Sequence, residues 1–139
     1  MTLINRLLIS IVDEASVIFY RKSRFELIDN GTFWLSETPD KPSRGWDASM
    51  NRICSYVTLL DHYTDDYVTV YNTYFDHRGA IAQEKSGELI YDYIDDAQGA
   101  AIAMGDFNVP EGSKVYNGIV NGSLDDAKFM SPENFRDNL

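Results

Sequence analysis

The stretch AAIAMGDFNVPEGSKVY, residues 100–116, joins an apolar strand pattern to a group of polar residues at its end. Residues 100–104 are apolar and predict a buried strand that stops at Gly105. Because side chains alternate along a strand, we expect Asp106 and Asn108 to point one way and Phe107 the other. The stretch therefore predicts a carboxylate and an amide side by side at the exposed end of a core strand.

The chemistry of this pair suits phosphoester hydrolysis. A carboxylate can orient or deprotonate a water molecule, and an amide can hold that water in line with phosphorus. A simpler interpretation is that Asp106 and Asn108 are turn residues before Pro110, since Asp and Asn are common in turns. The pair alone leaves both interpretations open.

The residues before this stretch predict mostly strands. Short strands are expected at residues 15–20, 25–28 and 32–35, with Asp29-Asn30-Gly31 as a turn between the last two. Residues 36–47 contain two prolines, one glycine and many polar residues, which predicts a loop. That loop is long for a compact domain, and such loops are often functional.

Two further strands and two helices complete the predicted fold. Strands at 52–61 and 67–75 look like an antiparallel hairpin, and residues 114–120 form a short helix capped by Ser113. Residues 78–97 show helical spacing of small and apolar residues, with Gly99 as a stop signal. The expected buried face is Ala82, Ser86, Leu89, Ile90, Tyr93, Ile94 and Ala97. This order predicts an α+β or mixed α/β layered domain.

A second group of polar residues lies near the end of the second hairpin strand. Asn72, Tyr74 and Asp76 share one face of that strand, and His77 follows it. They are either a site or an ordinary strand end that meets solvent. Arg52 opens the other hairpin strand, where it is either a solvated charge or a group that orients an acid or clamps a phosphate.

Composition restricts the class of partner. Twenty-two acidic residues against twelve lysines and arginines give a net charge of −10, which disfavours a broad nucleic-acid surface. A small phosphoester is the expected partner, since a bound cation can supply positive charge at the site. Cys54 is the only cysteine, so we expect it to be a small buried residue. The apolar run 7–12 is too short to span a membrane; cytoplasmic is the default location, with secretion as the alternative.

Four segments in order resemble one family: VIFYRKSRFELIDNGTFWLSETPD, SRGWDA followed by Arg52, YNTYFDHRG, and GDFN. Together they resemble a bacterial branch of the endonuclease/exonuclease/phosphatase superfamily over about residues 17–127. The resemblance implies a DNase I-like four-layer α/β sandwich of two face-to-face sheets with helices outside. It also implies hydrolysis of phosphoesters with Mg²⁺ or Mn²⁺.

The resemblance also implies residue roles. The catalytic set would be Asp106, Asn108, Asn72 and Tyr74, with Asp106 also a metal ligand. The substrate-binding set would be Arg52, Asp76 and His77. Tyr74 stands where the family has the histidine of its "NTH" motif. A phenol can donate a hydrogen bond, but it is neutral at pH 7 and brings no positive charge to the phosphoryl group.

Other family motifs have no counterpart in residues 1–139. These are the "QE" glutamate that binds the metal and the "SDH" histidine near the end of the family's domain. We therefore expect a single, incomplete domain with a partial metal site and weak or no activity as an isolated chain. The alternative is a degenerate, non-catalytic protein that binds a phosphoester or a partner. Missing strands would leave sheet edges exposed, which predicts a homodimer or a strand swap.

Overall fold

The computed structural model describes residues 4–7, 16–121 and 124–127 of the chain. Its elements are, in chain order, β1 (Ile4–Leu7), β2 (Ile18–Arg21), β3 (Phe25–Trp34), β4 (Ile53–Asp61), β5 (Asp66–Tyr74), α1 (Ala80–Asp95), β6 (Ala100–Asp106) and α2 (Lys114–Val120). Strands β1 and β2 form a small antiparallel sheet. The main sheet has the order β3-β4-β5-β6. This is the predicted mixed α/β class.

The main sheet combines an antiparallel meander with one parallel pair. The predicted hairpin is confirmed, since β4 and β5 pair antiparallel from Cys54 opposite Thr73 to Asp61 opposite Asp66. Helix α1 then crosses over the sheet so that β6 runs parallel to β5. Because both strands run the same way, their carboxyl ends lie at the same edge of the molecule.

The predicted turn at Asp29-Asn30-Gly31 is wrong. Strand β3 continues through these residues, and a β-bulge between Leu27 and Asp29 absorbs one extra residue. Gly31 pairs with Tyr56 across the ladder, and a Cβ atom at Gly31 would lie 2.7 Å from the Tyr56 ring. Gly31 therefore leaves room for the Tyr56 ring on the neighbouring strand rather than forming a turn.

Each face of the main sheet is covered by a different layer. On one face, α1 packs against the sheet through residues of its predicted buried face, including Ile90, Tyr93 and Ile94. The rings of Phe33 and Tyr93 stack there with centroids 3.8 Å apart. On the other face, Ile18 of β2 packs against Val57 and Leu59 of β4. The order of layers is thus helices, main sheet and small sheet, as in part of a sandwich.

The buried cysteine and the second helix also follow the sequence prediction. Cys54 is fully buried in the layer beneath α1, and burial raises the pKa of its thiol. The Ser113 side chain accepts a hydrogen bond from the Tyr116 N–H at 3.2 Å and so caps α2. No helix among the described residues is long and apolar enough to cross a membrane. Most of the apolar run 7–12 lies outside those residues.

Two glycines allow β6 to lie close against β5. Gly99 has φ +76°, and a Cβ atom there would lie 2.1 Å from the Tyr67 carbonyl oxygen. Gly105 has φ +133°, and a Cβ atom there would lie 1.9 Å from the Thr73 carbonyl oxygen. Both positions therefore exclude a side chain, and Gly105 fixes the path of the chain into Asp106.

We expect Gly105→Ala to lower the free energy of unfolding by at least about 2 kcal/mol, because the new methyl group overlaps the β5 backbone at a strained φ. Gly118→Ala in α2 is the matched control, since a Cβ atom at Gly118 meets nothing within 4 Å. That control should stabilise the protein by up to about 1 kcal/mol. Urea denaturation of both variants measures the difference, and equal stabilities would contradict the close approach.

Candidate active site

The candidate site lies at the common carboxyl end of β5 and β6. Tyr74 and Asp106 are partners in the parallel ladder, and the Phe75 N–H donates to the Asp106 carbonyl oxygen at 2.9 Å. The Asp106 residue is exposed, and Tyr74 is 42% exposed. The fold therefore brings together two of the predicted catalytic residues, which are far apart in sequence.

Asp106 and Asn108 are held by a turn rather than by strand alternation. Strand β6 ends at Asp106, and Asn108 has a left-handed backbone with φ 49°. The Asn108 N–H donates to the Asp106 carboxylate at 3.0 Å, and the Asn108 amide nitrogen donates to the Phe75 carbonyl oxygen at 2.8 Å. Phe107 points inward and meets Phe75 edge to face at 5.2 Å. The carboxylate is thus pre-oriented by its own turn.

A buried carboxylate stands next to this turn. The Asp76 side chain is 1% exposed and accepts from the Ser49 N–H and hydroxyl, Arg52 Nε, and the backbone N–H groups of Arg78 and Gly79, at 2.7–3.4 Å. Burial alone would raise the Asp76 pKa, but the hydrogen bonds from Gly79, Ser49 and Arg78 hold that pKa well below its usual range. Asp76 was predicted to contact substrate; this environment fits a positioning role.

Arg52 is also buried, so the interpretation of a solvated charge is wrong. It is 3% exposed, and its Nη2 lies 3.1 Å from Nδ1 of His77. Its guanidinium carbon lies 4.4 Å from the centroid of the Tyr74 ring, in a cation–π contact. These interactions and the Asp76 contact hold the Arg52 guanidinium against other groups of the protein. His77 itself is exposed.

Asn72, one of the predicted catalytic residues, forms a hydrogen bond to the backbone before β2. It lies on the same face of β5 as Tyr74, one repeat earlier, opposite Met104 of β6. Its amide nitrogen donates to the Val17 carbonyl oxygen at 2.9 Å. That bond ties the segment leading into β2 onto the main sheet close to the site.

Two further residues position the site, although neither was among the predicted site residues. Asp47, from the long loop, accepts from the Ala82 N–H at 2.7 Å and the Ile81 N–H at 3.3 Å, and so caps the start of α1. The Gln83 amide nitrogen donates to the carbonyl oxygens of Asp76 at 2.8 Å and Asn108 at 3.2 Å. Gln83 carries no local sequence signal, because both of its partners are distant backbone atoms.

A cavity opens beside the site. It has a volume of about 900 Å³ and lies between the end of β6 and α2, with Asp106, Asn108, Glu111, Tyr116 and Ile119 among its lining residues. A cleft of this size accommodates a small organic molecule. Among residues 4–7, 16–121 and 124–127, no group of three His, Cys, Asp or Glu side chains could hold a metal ion.

Comparisons with known proteins place this geometry in a family. No protein-family model and no curated protein matches the chain. An endonuclease/exonuclease/phosphatase from Bacteroides vulgatus matches it at TM-score 0.76 and 37% identity, over 81% of this chain and 44% of that one. A family protein from Bacteroides thetaiotaomicron gives 0.73 and 39%, over 77% and 40%. A mannosyl-6-phosphatase from the same species gives 0.72 and 38%, over 77% and 42%.

The fold and these identities establish the class of protein. The chain belongs to the endonuclease/exonuclease/phosphatase family and has its mixed α/β, DNase I-like fold. It spans less than half the length of each of these three structures.

The ionised Asp76 carboxylate should make stability depend on pH. Its pKa is lowered on folding, so its contribution is present above the ordinary Asp pKa of about 3.9 and is lost as the pH falls. We expect Asp76→Asn to cost about 3–5 kcal/mol at neutral pH, because Arg52 then remains buried without its carboxylate. The variant should also lose less stability on acidification than the wild type.

Urea denaturation at neutral and acid pH tests this prediction. Asp95→Asn is the matched control, because Asp95 is exposed at the far end of α1 and the substitution makes the same change of charge. An Asp76→Asn variant with wild-type stability and acid dependence would contradict it.

Proposed function

We propose that the chain is a metal-dependent phosphoesterase-family domain that hydrolyses a small phosphoester, and that it has weak or no activity as an isolated chain. The observation that supports this most directly is the Asp106–Asn108 turn at the carboxyl end of β6, next to Tyr74 of β5. This turn places an exposed Asp106 carboxylate, which the Asn108 N–H orients, beside a cavity. The 37–39% identity to bacterial family members supports the same chemistry.

Asp106 is the residue that would hold Mg²⁺ or Mn²⁺ in this site. A hard cation accepts one or two carboxylates together with water and substrate phosphate, so a single carboxylate is a partial fit. When bound, the cation would neutralise charge that develops on the phosphoryl oxygens. The protein's own contribution is to fix Asp106 through the Asn108 N–H and to fix Asn108 through Phe75 and Gln83.

Tyr74 limits the rate expected of this site. Its ring lies on the Arg52 guanidinium, and its hydroxyl can donate a hydrogen bond but brings no positive charge. Loss of a cationic or proton-transferring group from a catalytic set costs orders of magnitude in rate. This supports weak activity rather than efficient turnover.

Charge and similarity indicate the size of the substrate. The net charge of −10 disfavours long nucleic acid. One related structure is named a mannosyl-6-phosphatase, which makes a sugar phosphate a suitable first substrate to assay. The cavity beside Asp106 would accept a ligand of that size.

The activity is tested with purified chain, Mg²⁺ or Mn²⁺, and both a sugar phosphate and a generic phosphodiester. We expect slow, metal-dependent hydrolysis that falls at least about 100-fold in Asp106→Asn, because the carboxylate is the metal ligand. Asp95→Asn, which makes the same change of charge outside the site, should keep wild-type activity. Hydrolysis that is unchanged in Asp106→Asn would contradict the role proposed for the Asp106 carboxylate. Turnover as fast as that of the Bacteroides phosphatase would contradict the weak-activity part of the proposal.

A second candidate function is a degenerate member of the family that binds a phosphoester or a partner without cleaving it. Tyr74 and the buried, protein-bound Arg52 favour this alternative. Calorimetry in the presence of a chelator distinguishes the two: tight, metal-independent binding of a phosphoester favours a binding protein. Failure to bind any phosphoester in a panel would contradict it.

We also propose that a second copy of the chain pairs along β6. Strand β6 is the last strand of the main sheet among the described residues, and Ile102 on it is 49% exposed. An unpaired strand edge with apolar side chains favours association. Ile102→Lys should reduce it because a charge on the edge opposes pairing. Ile81→Lys, on an exposed residue of α1, should not. Light scattering over a wide concentration range measures the mass, and a wild-type monomer throughout would contradict this.

A further inference from the structure

The geometry points to a specific state and role for His77. We propose that His77 is a neutral imidazole with its proton on Nε2, that Arg52 holds it in this tautomer, and that its Nε2–H donates a hydrogen bond to a phosphoryl oxygen of the bound ligand. The binding role rests on the proposed phosphoester function. The tautomer does not, because it follows from contacts within the protein.

The tautomer follows from the chemistry of the two partners. Nη2 of Arg52 lies 3.1 Å from Nδ1 of His77. A guanidinium has five N–H donors and no acceptor, so in this pair the ring nitrogen must accept. A neutral imidazole that accepts at Nδ1 carries its proton on Nε2. His77 therefore presents a donor on the side of the ring away from Arg52.

Arg52 can impose this choice because it is itself held in place. It is 3% exposed, its Nε faces the Asp76 carboxylate at 3.4 Å, and its planar face is covered by the Tyr74 ring. Asp76 is fixed in turn by backbone N–H groups at the start of α1. A guanidinium in this environment has little freedom to turn toward a ligand, so Arg52 acts as a positioning residue and His77 as the group at the surface.

The position of His77 relates it to the candidate site. Tyr74 lies between Arg52, which it contacts through its ring, and Asp106, its partner in the β5–β6 ladder. His77 contacts Nη2 of the same Arg52 and is exposed. The imidazole donor thus stands at the same end of the sheet as the Asp106 carboxylate.

The chain contains an internal control for this proposal. It has two histidines, and His62 lies just past β4, at the opposite end of the β4–β5 hairpin. His62 is half exposed, and its Nε2 lies 3.5 Å from the Glu26 carboxylate. It therefore lacks both the guanidinium contact and the nearby Asp106, and it should not respond to a ligand bound at the site.

Nitrogen-15 NMR of the histidine rings tests the tautomer directly. Long-range proton–nitrogen correlation spectra should give two imidazoles, which a His62→Gln variant assigns. We expect the wild-type His77 ring to be protonated at Nε2 and unprotonated at Nδ1. Arg52→Lys should give a mixture of tautomers, because an ammonium lacks the planar fork that fixes the ring. A wild-type His77 ring protonated at Nδ1 would overturn the proposal, whether or not the Arg52 variant folds.

Titration with inorganic phosphate, mannose 6-phosphate and mannose tests the binding role. Phosphate and the sugar phosphate should both shift the His77 Nε2–H resonance, while mannose should shift nothing and His62 should stay unchanged. His77→Leu should weaken phosphate binding about tenfold or more, whereas His77→Gln, which keeps an N–H donor, should recover part of it. A response to mannose alone would assign His77 to the sugar, and no response to phosphate would show that it binds no phosphoryl oxygen; either result overturns the proposal.

These outcomes separate the two proposals. If no hydrolysis is detected but phosphate shifts the His77 resonance, the enzyme proposal is contradicted and the binding role of His77 is supported. Hydrolysis that depends on Asp106 but keeps the same KM in His77→Leu removes the binding role of His77 and leaves the enzyme proposal in place.

Discussion

The buried Asp76 carboxylate joins the three segments on which the site depends. It receives hydrogen bonds from Ser49 in the long loop, from Arg52 before β4, and from the backbone at the start of α1. An ionised carboxylate in such a place is costly unless nearly all of its acceptor positions are filled. Filling them requires the loop, the sheet and the helix to be in their native arrangement together. The start of α1, the path of the loop and the orientation of Arg52 are therefore coupled.

A second constraint sets the other half of the site. Helix α1 returns the chain so that β6 runs parallel to β5, and Gly105 lets the two backbones approach where a side chain would collide with Thr73. The Asn108 amide and the Gln83 amide then fasten the turn after β6 to the end of β5 and to α1. These contacts fix the position of the exposed Asp106 carboxylate relative to Tyr74. The Asp106–Asn108 turn by itself would not set that position.

Much of the fold and part of the candidate site could be predicted from local patterns. The hairpin, both helices, the Ser113 cap and the strand before Asp106 carry strong strand, helix or capping signals. The parallel pairing of that strand was not predicted, and it has no buried residue, so the expectation of a buried strand is wrong. The turn predicted at Asp29-Asn30-Gly31 is wrong because β3 continues through it. Gly31 instead faces the Tyr56 ring on the neighbouring strand. The burial of Arg52 and the role of Gln83 were not predictable for the same reason: their partners lie on segments distant in sequence.

By itself, the sequence determined the class of fold, the family and the residue types available for chemistry, because periodicity, turn residues and motif order are local properties of the chain. Only the tertiary structure decided how those residues are used. It buried Asp76 with Arg52, laid Tyr74 over the guanidinium, and left Asp106 and His77 exposed at one end of the sheet. The physical reason is that the state of a charged or polar side chain depends on burial and on its donors and acceptors, which come from segments brought together only by folding.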